Sequence, residues 1–473
     1  MSISDGRSNK IDNQAESLRD WKKFYKKNNY YHTQLQELVK KIIPETASVL
    51  EMDSKSGETL ASLPNKDKTG VIFDRSFLAH AKKRYPKIKF VSIGDFPKRM
   101  GKKAYDYILL SHALTEIEDV QSFLQKLKRL TDKDTRIVVL YFNYLWKPLL
   151  DLGEKVGLKR YQKKVPNWLS QEDINNFFAV ESYELIKTGK RFLCPYPIPF
   201  VAPLFNKYLS PMPLINSLCL INYAVYKPSV VCKDRSVSIV IAARNEEGNM
   251  KGVLSKIPNI GTKTEVIFVE GHSKDGTYQA IKDEILRYKG PIKASLYKQK
   301  GKGKGDAVRL GFSKAKNDLL MILDADLTVA PDDLPKFYKA MIDGKADFIM
   351  GSRLVYPMEK EAMRTLNVFG NKIFSVLFTF LLDQKIKDTL CGTKVLFKKD
   401  YEKIAVNRKF FGDFDPFGDY DLIFGAAKLN LKILEIPIRY RQRVYGKTNI
   451  SRFSHGWLLL RMVFFAAQKI KFI

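Results

Sequence analysis

Cysteine is scarce in this chain. Cys194, Cys219, Cys232 and Cys391 are the only four in 473 residues, and no two form a CxxC pair. That pattern argues against a disulfide framework or a thiolate metal cluster and suits reduced thiols in a cytoplasmic protein. Long apolar runs are missing too: none reaches the roughly 18 residues a spanning helix needs. The N-terminal stretch MSISDGRSNKIDNQAES has no apolar centre, so a secretory signal is not expected. Acid is in deficit, with 51 Asp and Glu against 81 Lys and Arg, a formal charge of +30. Such an excess favours polyanionic partners: nucleic acid, anionic lipid or phosphorylated substrates. No zinc-ligand spacing, RNP-like motif or basic zipper accompanies it, which counts against nucleic acid.

What is present is a core-forming composition, 45% hydrophobic and 12% aromatic, in a chain long enough for two or three domains. The most informative stretch is Leu320-Met321-Ile322-Leu323-Asp324-Ala325-Asp326-Leu327-Thr328. An apolar run of that length reads as a buried strand, with Asp324 and Asp326 emerging at its carboxyl end, where open α/β sheets place their ligands. Neighbouring carboxylates raise each other's pKa unless a cation lies between them, so the pair suits Mg²⁺ or Mn²⁺ gripping a diphosphate. An isolated DxD is more often just a polar loop after a core strand, and the neighbouring motifs decide.

Residues 1–44 read as a polar tail followed by an amphipathic helix over 21–43. From Ala47 the pattern alternates: strands near 47–52, 69–73, 88–93, 105–110 and 135–142, helices near 58–63, 77–84, 120–131 and 170–178. Alternating βα units imply a doubly wound, mostly parallel sheet. Glu51-Met52-Asp53-Ser54-Lys55-Ser56-Gly57 follows the first strand, Asp74 the second and Gly94-Asp95 the third, and the fourth carries Tyr105 to Leu114. In this order residues 45–228 resemble a class I S-adenosylmethionine-dependent methyltransferase, with residues 179–227 as its closing hairpin. The resemblance implies a cofactor site at Glu51, Gly57, Asp74 and Asp95. Only Gly57 survives where that family usually has three glycines, so a degenerate domain with a structural or regulatory role is the expectation. Residues 199–224 turn apolar and aromatic but are broken by Pro203, Pro211 and Pro213. They suit a segment lying along a membrane surface or one packed between domains. Residues 229–235 read as a linker.

The second half repeats the strand-then-turn pattern. Ser236 to Ala243 leads into Arg244-Asn245-Glu246-Glu247. Glu265 to Val269 leads into Glu270-Gly271-His272-Ser273-Lys274-Asp275-Gly276-Thr277, and Gly301-Lys302-Gly303-Lys304-Gly305-Asp306 opens a helix. A flexible cationic loop before a helix N-terminus suits phosphate, although it lacks P-loop spacing. With the DxD, this order resembles inverting family 2 glycosyltransferases of the GT-A fold over residues 236–450, and within them the polyprenol-phosphate (dolichol-phosphate) sugar transferases. The resemblance implies nucleotide-sugar contacts from Arg244, Glu246, Glu270, Asp275, Lys302, Lys304 and Asp324. It also implies a metal on Asp324 and Asp326, and phosphate contacts from Arg353, Arg439 and Arg443. Two positions depart from that pattern. Glu270 stands where Asp is usual, which bears on base preference, and Thr328 stands where Gln is frequent, which bears on the metal shell.

Further on, Lys387-Asp388-Thr389-Leu390-Cys391-Gly392-Thr393 matches an acceptor-side motif, and Phe411 to Asp421 is acidic and aromatic enough to line a sugar pocket. Tyr445 to Asn449 corresponds to a stretch that closes over the diphosphate, with Thr448 at its hydroxyl position. Residues 451–473 suit an amphipathic interfacial helix, or equally a core helix; residues 373–382 read the same way.

The expected activity is metal-dependent, inverting transfer of a sugar from a nucleotide diphosphate sugar to a lipid-linked acceptor, a polyprenyl phosphate or a glycan precursor. The protein would then sit peripherally on the cytoplasmic face of an anionic membrane. Asp326 carries the metal chemistry, and Asp388 or Asp421 is the candidate base should the acceptor be a hydroxyl. The alternatives are a two-headed enzyme that also methylates surface glycans using S-adenosylmethionine, and a non-catalytic scaffold at the membrane.

Overall fold

A computed structural model describes residues 18–96, 103–156, 167–356, 365–408, 418–446 and 452–472. The chain divides into two compact units, Met1–Ser229 and Val230–Ile473. The expected tail before residue 18, most of Phe411 to Asp421, and Thr448 lie outside the described residues.

The first unit is a seven-stranded sheet in the order β3-β2-β1-β4-β5-β7-β6. Its strands are β1 (Val49–Met52), β2 (Lys68–Ile72), β3 (Lys89–Ser92), β4 (Tyr107–Ser111), β5 (Arg136–Phe142), β6 (Tyr183–Arg191) and β7 (Ile221–Pro228). β1 to β5 are parallel, and β7 runs antiparallel between β5 and β6. The central strands are apolar on both faces because helices cover both. One face carries a core of Leu35, Val39, Val49, Phe77 and Leu109, the other a core of Leu50, Ile108, Leu124, Ile137 and Phe178. The strand expectations hold to within about two residues. The helix expected over 120–131 stops at Leu127 and closes in a 3₁₀ turn, Lys128–Leu130. Helix Lys147–Lys155 was not foreseen; its exposed leucines break the usual core-facing pattern.

The second unit is also a seven-stranded sheet, in the order β10-β9-β8-β11-β13-β12-β14. Its strands are β8 (Val237–Ala243), β9 (Thr264–Glu270), β10 (Lys293–Lys298), β11 (Leu319–Ile322), β12 (Phe348–Ser352), β13 (Lys394–Phe397) and β14 (Ile433–Pro437). β10, β9, β8 and β11 are parallel, β13 is antiparallel to both its neighbours, and β12 is parallel to β14. Because β13 runs backwards, the residues before it reach the same edge as the carboxyl ends of β11 and β12. Helix Lys304–Lys314 lies so close to β8 that a Cβ at Gly311 would collide with Val240. That contact fixes the helix, and with it the position of Lys304.

Helix Arg452–Ile470 buries Leu459, Met462, Val463 and Ala466 in the same core as Phe374 and Phe378 of helix Thr365–Leu382. Both helices therefore have a core face, while Trp457, Phe464 and Val376 are exposed. Among the described residues no helix is long and apolar enough to cross a membrane.

Candidate functional site

At the carboxyl edge of the second sheet, β11 ends in Leu323 and the chain turns through Asp324-Ala325-Asp326. Leu327 adopts a positive φ of 53° at the turn. Both carboxylates are neutralised, each by a cation from elsewhere. The Lys304 ammonium sits 2.5 Å from Asp324 Oδ1. The Arg443 guanidinium lies 2.6 Å from Asp326 Oδ2 and 2.9 Å from Glu246 Oε1. Burial alone would raise the Asp324 pKa; the Lys304 charge, helped by Lys394 and Arg353, outweighs it and holds the carboxyl below its usual range. Glu246 goes the other way: burial lifts it, against Arg443 and the Asn249 hydrogen bond.

The loop that delivers Arg443 is held by backbone. Val329 forms a bridge with Tyr440, and the Arg441 N–H donates to the Thr328 carbonyl at 2.9 Å. Thr328 in turn donates its hydroxyl to Asp326 Oδ1 at 2.8 Å, with its amide on the same oxygen at 3.2 Å. The odd residue of the motif thus orients the carboxylate beside it. From the other side, Gly392 packs over the pair, since a Cβ there would strike the Asp324 carboxylate and the Lys304 ammonium.

The first two turns of the unit are tied together. Asn245, at φ 56°, takes the Lys274 N–H on its side-chain oxygen at 2.7 Å. The Glu246 N–H donates to Thr277 Oγ1 at 2.9 Å. Glu270 accepts from the Ser273 N–H at 2.5 Å. Asp275 accepts from the Thr277 N–H at 3.1 Å at the start of helix Thr277–Arg287. Burial opposes ionisation of Asp275, but the Thr277 hydroxyl and amide prevail and lower its pKa. Glu270 and Asp275 therefore build the turns, while Arg244 and Lys302 lie exposed on the same edge. Arg439 is exposed with its guanidinium over the Tyr356 ring.

Three sequence expectations change on inspection of their partners. Arg353 lies near enough to Asp324 to lower its pKa, but its guanidinium forms a two-point ion pair with Asp388, 2.7 Å from Nε to Oδ2 and 2.8 Å from its terminal nitrogen to Oδ1. Asp388 is fully buried and also accepts from Asn371 Nδ2 at 2.7 Å. Burial would raise its pKa, and the Arg353 charge drives it down instead, a poor property for a general base. Asp421 is likewise buried, with Arg408 Nε donating to it at 3.0 Å. Sequence reasoning overlooked Asn249, whose side chain donates to Glu246 at 2.7 Å, and Asn371, because single asparagines inside helical stretches carry no pattern. It also overlooked Lys394, a wholly buried lysine donating to the Cys391 carbonyl at 2.6 Å; a lysine opening an apolar strand was the available signal.

Asp324 and Asp326 are the carboxylates that would hold a divalent ion, each paired with a cation in this structure. Among the described residues no three acidic, histidine or cysteine side chains form a closed metal cage. Mg²⁺-type sites commonly use one or two carboxylates and take their remaining oxygens from substrate phosphates and water.

The matching edge of the first unit is built differently. Asp53 and Lys55, in the loop after β1, hold positive φ values of 59° and 45°, the backbone that glycine adopts freely. Their side chains fill the loop: Lys55 Nζ is 2.5 Å from Asp53 and 2.9 Å from Glu116. Glu51 is buried beside them and its carboxyl is pushed up to about 8, by burial first and then by Asp53 and Glu58. Gly57, φ 86°, abuts the Phe90 ring. Asp74 takes the Ser76 N–H at 3.0 Å, opening helix Ser76–Arg84, and Asp95 closes a 3₁₀ turn, Ile93–Asp95. Where S-adenosylmethionine would need bare backbone, the loop presents an ion-paired lysine, so these residues do not fit that cofactor.

The chain holds two doubly wound α/β units, the second with ion-paired acidic turns at one sheet edge. Residues 238–405 match the model "Glycosyl transferase family 2" and residues 25–187 match "Methyltransferase domain". The second unit thus resembles family 2 glycosyltransferase domains and the first resembles methyltransferase domains. A dolichol-phosphate mannosyltransferase of Pyrococcus furiosus is 29% identical over 219 residues, 45% of this chain and 59% of that protein. The match therefore spans a little over half of that relative. A UDP-N-acetylglucosamine–dolichyl-phosphate N-acetylglucosaminyltransferase of Methanococcus voltae is 26% identical over 232 residues, 46% of this chain and 90% of its own. Among solved structures, a glucosyl-3-phosphoglycerate synthase of Mycobacterium tuberculosis aligns at 17% identity with a TM-score of 0.36, covering 50% of this chain and 80% of that one.

Proposed function

We propose that the second unit transfers a sugar, with inversion, from a nucleotide diphosphate sugar to a polyprenyl-type lipid phosphate. The observation that carries this reading is the pair of displaceable ion pairs, Lys304–Asp324 and Arg443–Asp326–Glu246, meeting at the carboxyl edge of β11. Asp324 and Asp326 would hold Mg²⁺ or Mn²⁺, which supplies Lewis-acid neutralisation of the leaving diphosphate. Lys304 and Arg443, released from the carboxylates, then serve the diphosphate oxygens, Lys304 from the first turn of its helix, where backbone N–H groups add to the attraction. Glu246, braced by Asn249, and the tied turn at Asn245 and Lys274 form the nucleotide side.

The pairing of the two described candidate bases supports one acceptor class. Asp388 is locked by Arg353 and Asn371, and Asp421 accepts from Arg408. A hydroxyl acceptor needs its proton removed; a phosphate monoester is ionised near neutral pH and does not. This favours a lipid phosphate over a glycan hydroxyl. The named relatives, transferases of dolichol-phosphate and dolichyl-phosphate, support the same choice.

The test is turnover of a nucleotide-sugar panel with a phosphorylated polyprenol, with Mg²⁺ or Mn²⁺ and with chelator. Asp326→Ala should lower the rate by about a thousandfold or more while leaving the melting temperature within a few degrees. Full activity in that variant, or turnover indifferent to chelator, would sink the metal assignment.

A further inference from the structure

The first unit carries a surface that neither its sheet nor its degenerate loop explains. β7 pairs with β5 so that Ile221 faces Phe142, and with β6 so that Ile221 also faces Arg191. Residues 192–220, between β6 and β7, and the stretch following β5 therefore emerge at the same edge of the sheet. They are joined there: Trp146 Nε1 donates to the Leu218 carbonyl at 2.8 Å, and Asn143 Nδ2 donates to the Ser217 and Cys219 carbonyls at 2.7 and 2.8 Å.

Two tips project from this base. The Val201 N–H donates to the Pro199 carbonyl at 2.7 Å, and the Ile215 N–H to the Pro213 carbonyl at 2.9 Å. Each is a three-residue turn, with Phe200 (φ 63°) at the centre of one and Leu214 (φ 68°) at the centre of the other. Turns of this kind with positive φ are rare and strained, and for bulky residues the backbone penalty is real. What the strain achieves is display: Phe200 is 91% exposed and Leu214 87%. Leu204 and Leu218 beside them, and Leu149 and Leu152 on helix Lys147–Lys155, are also exposed. The base under the tips is ordered, because Asn206 Oδ1 accepts from the Leu193 and Cys194 amides at 2.9 and 2.8 Å. Strained turns on a firm base that hold the largest apolar groups in water gain nothing unless something apolar covers them.

Charge identifies the cover. From Leu185 to Lys233 the chain contains no Asp or Glu, but it has Lys187, Lys190, Arg191 and Lys207 in and around the hairpin. Arg191 and Lys207 are near enough to Lys41 to add to the effect of burial in lowering its pKa, with only Glu37 opposing. The acids on helix Lys147–Lys155, Asp151 (paired with Lys147) and Glu154, are outnumbered, so a second copy would set most of these cations against their own kind. An anionic bilayer surface accepts both the cations and the apolar tips.

We infer that this edge of the first unit is a membrane-docking surface, inserting Phe200 and Leu214 into an anionic lipid interface with Lys190, Arg191 and Lys207 at headgroup level. The assignment concerns the methyltransferase-type unit and stands apart from the sugar-transfer reading of the second.

The experiment is flotation of the full-length protein with vesicles of phosphatidylcholine alone or mixed with phosphatidylglycerol, at low and high salt. The parent should float with the anionic vesicles, less so at high salt. Phe200→Glu/Leu214→Glu should reduce partitioning roughly tenfold or more. Lys190→Gln/Arg191→Gln/Lys207→Gln should bring it down to the level seen with phosphatidylcholine and remove the salt dependence. Leu149→Glu, on the neighbouring helix, reports by an independent route and should also weaken flotation. Because Phe200, Leu214 and Leu149 already face water, the melting temperatures of their variants should not move, and a Lys207→Gln variant alone, also at an exposed side chain, checks the charge arm free of any fold effect. Trp457→Glu/Phe464→Glu serves as the control for the C-terminal helix and should retain the contribution of the first unit. The inference is overturned if the parent does not float, or if Phe200→Glu/Leu214→Glu floats like the parent. It is equally overturned if that variant merely turns a dimer into a monomer, which would assign the surface to a second copy.

Discussion

Each of the two sheets ends, at its carboxyl edge, in carboxylates paired with cations, and the two arrangements have opposite consequences. In the first unit Asp53 and Lys55 belong to one short loop, two residues apart, and both side chains are largely buried with Glu116 closing over them. In the second, Asp324 takes its lysine from the start of a helix and Asp326 takes its arginine from a loop beyond β14. A pair inside one loop satisfies itself and has nowhere to go. A pair assembled from separate elements neutralises the carboxylates with cations that, on the proposed function, are released to a metal-bound anionic substrate. The same residue types thus make a closed loop in one unit and, in the other, the pairs on which the proposed site rests.

The largest stability effect that sharpens the contrast is at Glu51. Its carboxyl is pushed up to about 8 by burial first, then by Asp53 and Glu58. The folded unit therefore holds a proton that the unfolded chain gives up at the ordinary glutamate value. Between those two pH values the folded state binds more protons, so this group's contribution is full at low pH and is lost as pH rises through about 8. Glu51→Gln should stabilise the first unit by roughly 3 kcal/mol near pH 9 and hardly at all near pH 5. Three of the four tryptophans (Trp21, Trp146 and Trp168) lie in this unit, so its unfolding can be followed by their fluorescence. A gain independent of pH would mean that the carboxyl is not the strained group.

Next comes a matched removal of the two lysines. Lys55→Met leaves Asp53 buried without its counter-charge and should cost the first unit about 2–3 kcal/mol. Lys304→Met removes a partner from a carboxylate that is 26% exposed, so the second unit should lose no more than about 1 kcal/mol. Its deficit should appear instead in nucleotide-sugar affinity, about tenfold weaker by titration calorimetry. Equal stability losses would erase the distinction between closed loop and proposed site.

These contrasts also mark how far the sequence could be read. The strands were legible because continuous apolar runs such as Val237 to Ala243 have few other uses. Asp324 and Asp326 were legible because they follow such a run without a break. Partners were not legible. Nothing local tells that Arg443 reaches Asp326, or that Arg353 is spent on Asp388; each depends on which strand ends share an edge, and the reversed β13 decides that. The turns at Phe200 and Leu214 were hidden for another reason. A bulky residue carries no local signal for a positive φ, so the conformation of Phe200 and Leu214 is set by the surrounding base and not by the residues themselves.

The smallest expected effect is at Thr328, the position where the site departs from its resemblance. Its hydroxyl donates to Asp326 Oδ1 at 2.8 Å, its amide reaches the same oxygen, and its carbonyl receives the Arg441 N–H. Thr328→Val keeps the shape and both backbone bonds and deletes only the hydroxyl. A hydrogen bond to a charged acceptor is worth about 1.5–3 kcal/mol, but here the amide and Arg443 still hold the carboxylate, so about 1 kcal/mol is the reasonable share. If the hydroxyl orients Asp326 toward a metal, that loss falls on the metal: the concentration giving half-maximal turnover should rise about fivefold, while kcat at saturating metal stays within about twofold. A loss confined to kcat would instead place Thr328 against the reacting groups. No change in either would reduce it to a spacer, leaving the backbone alone to aim the carboxylate.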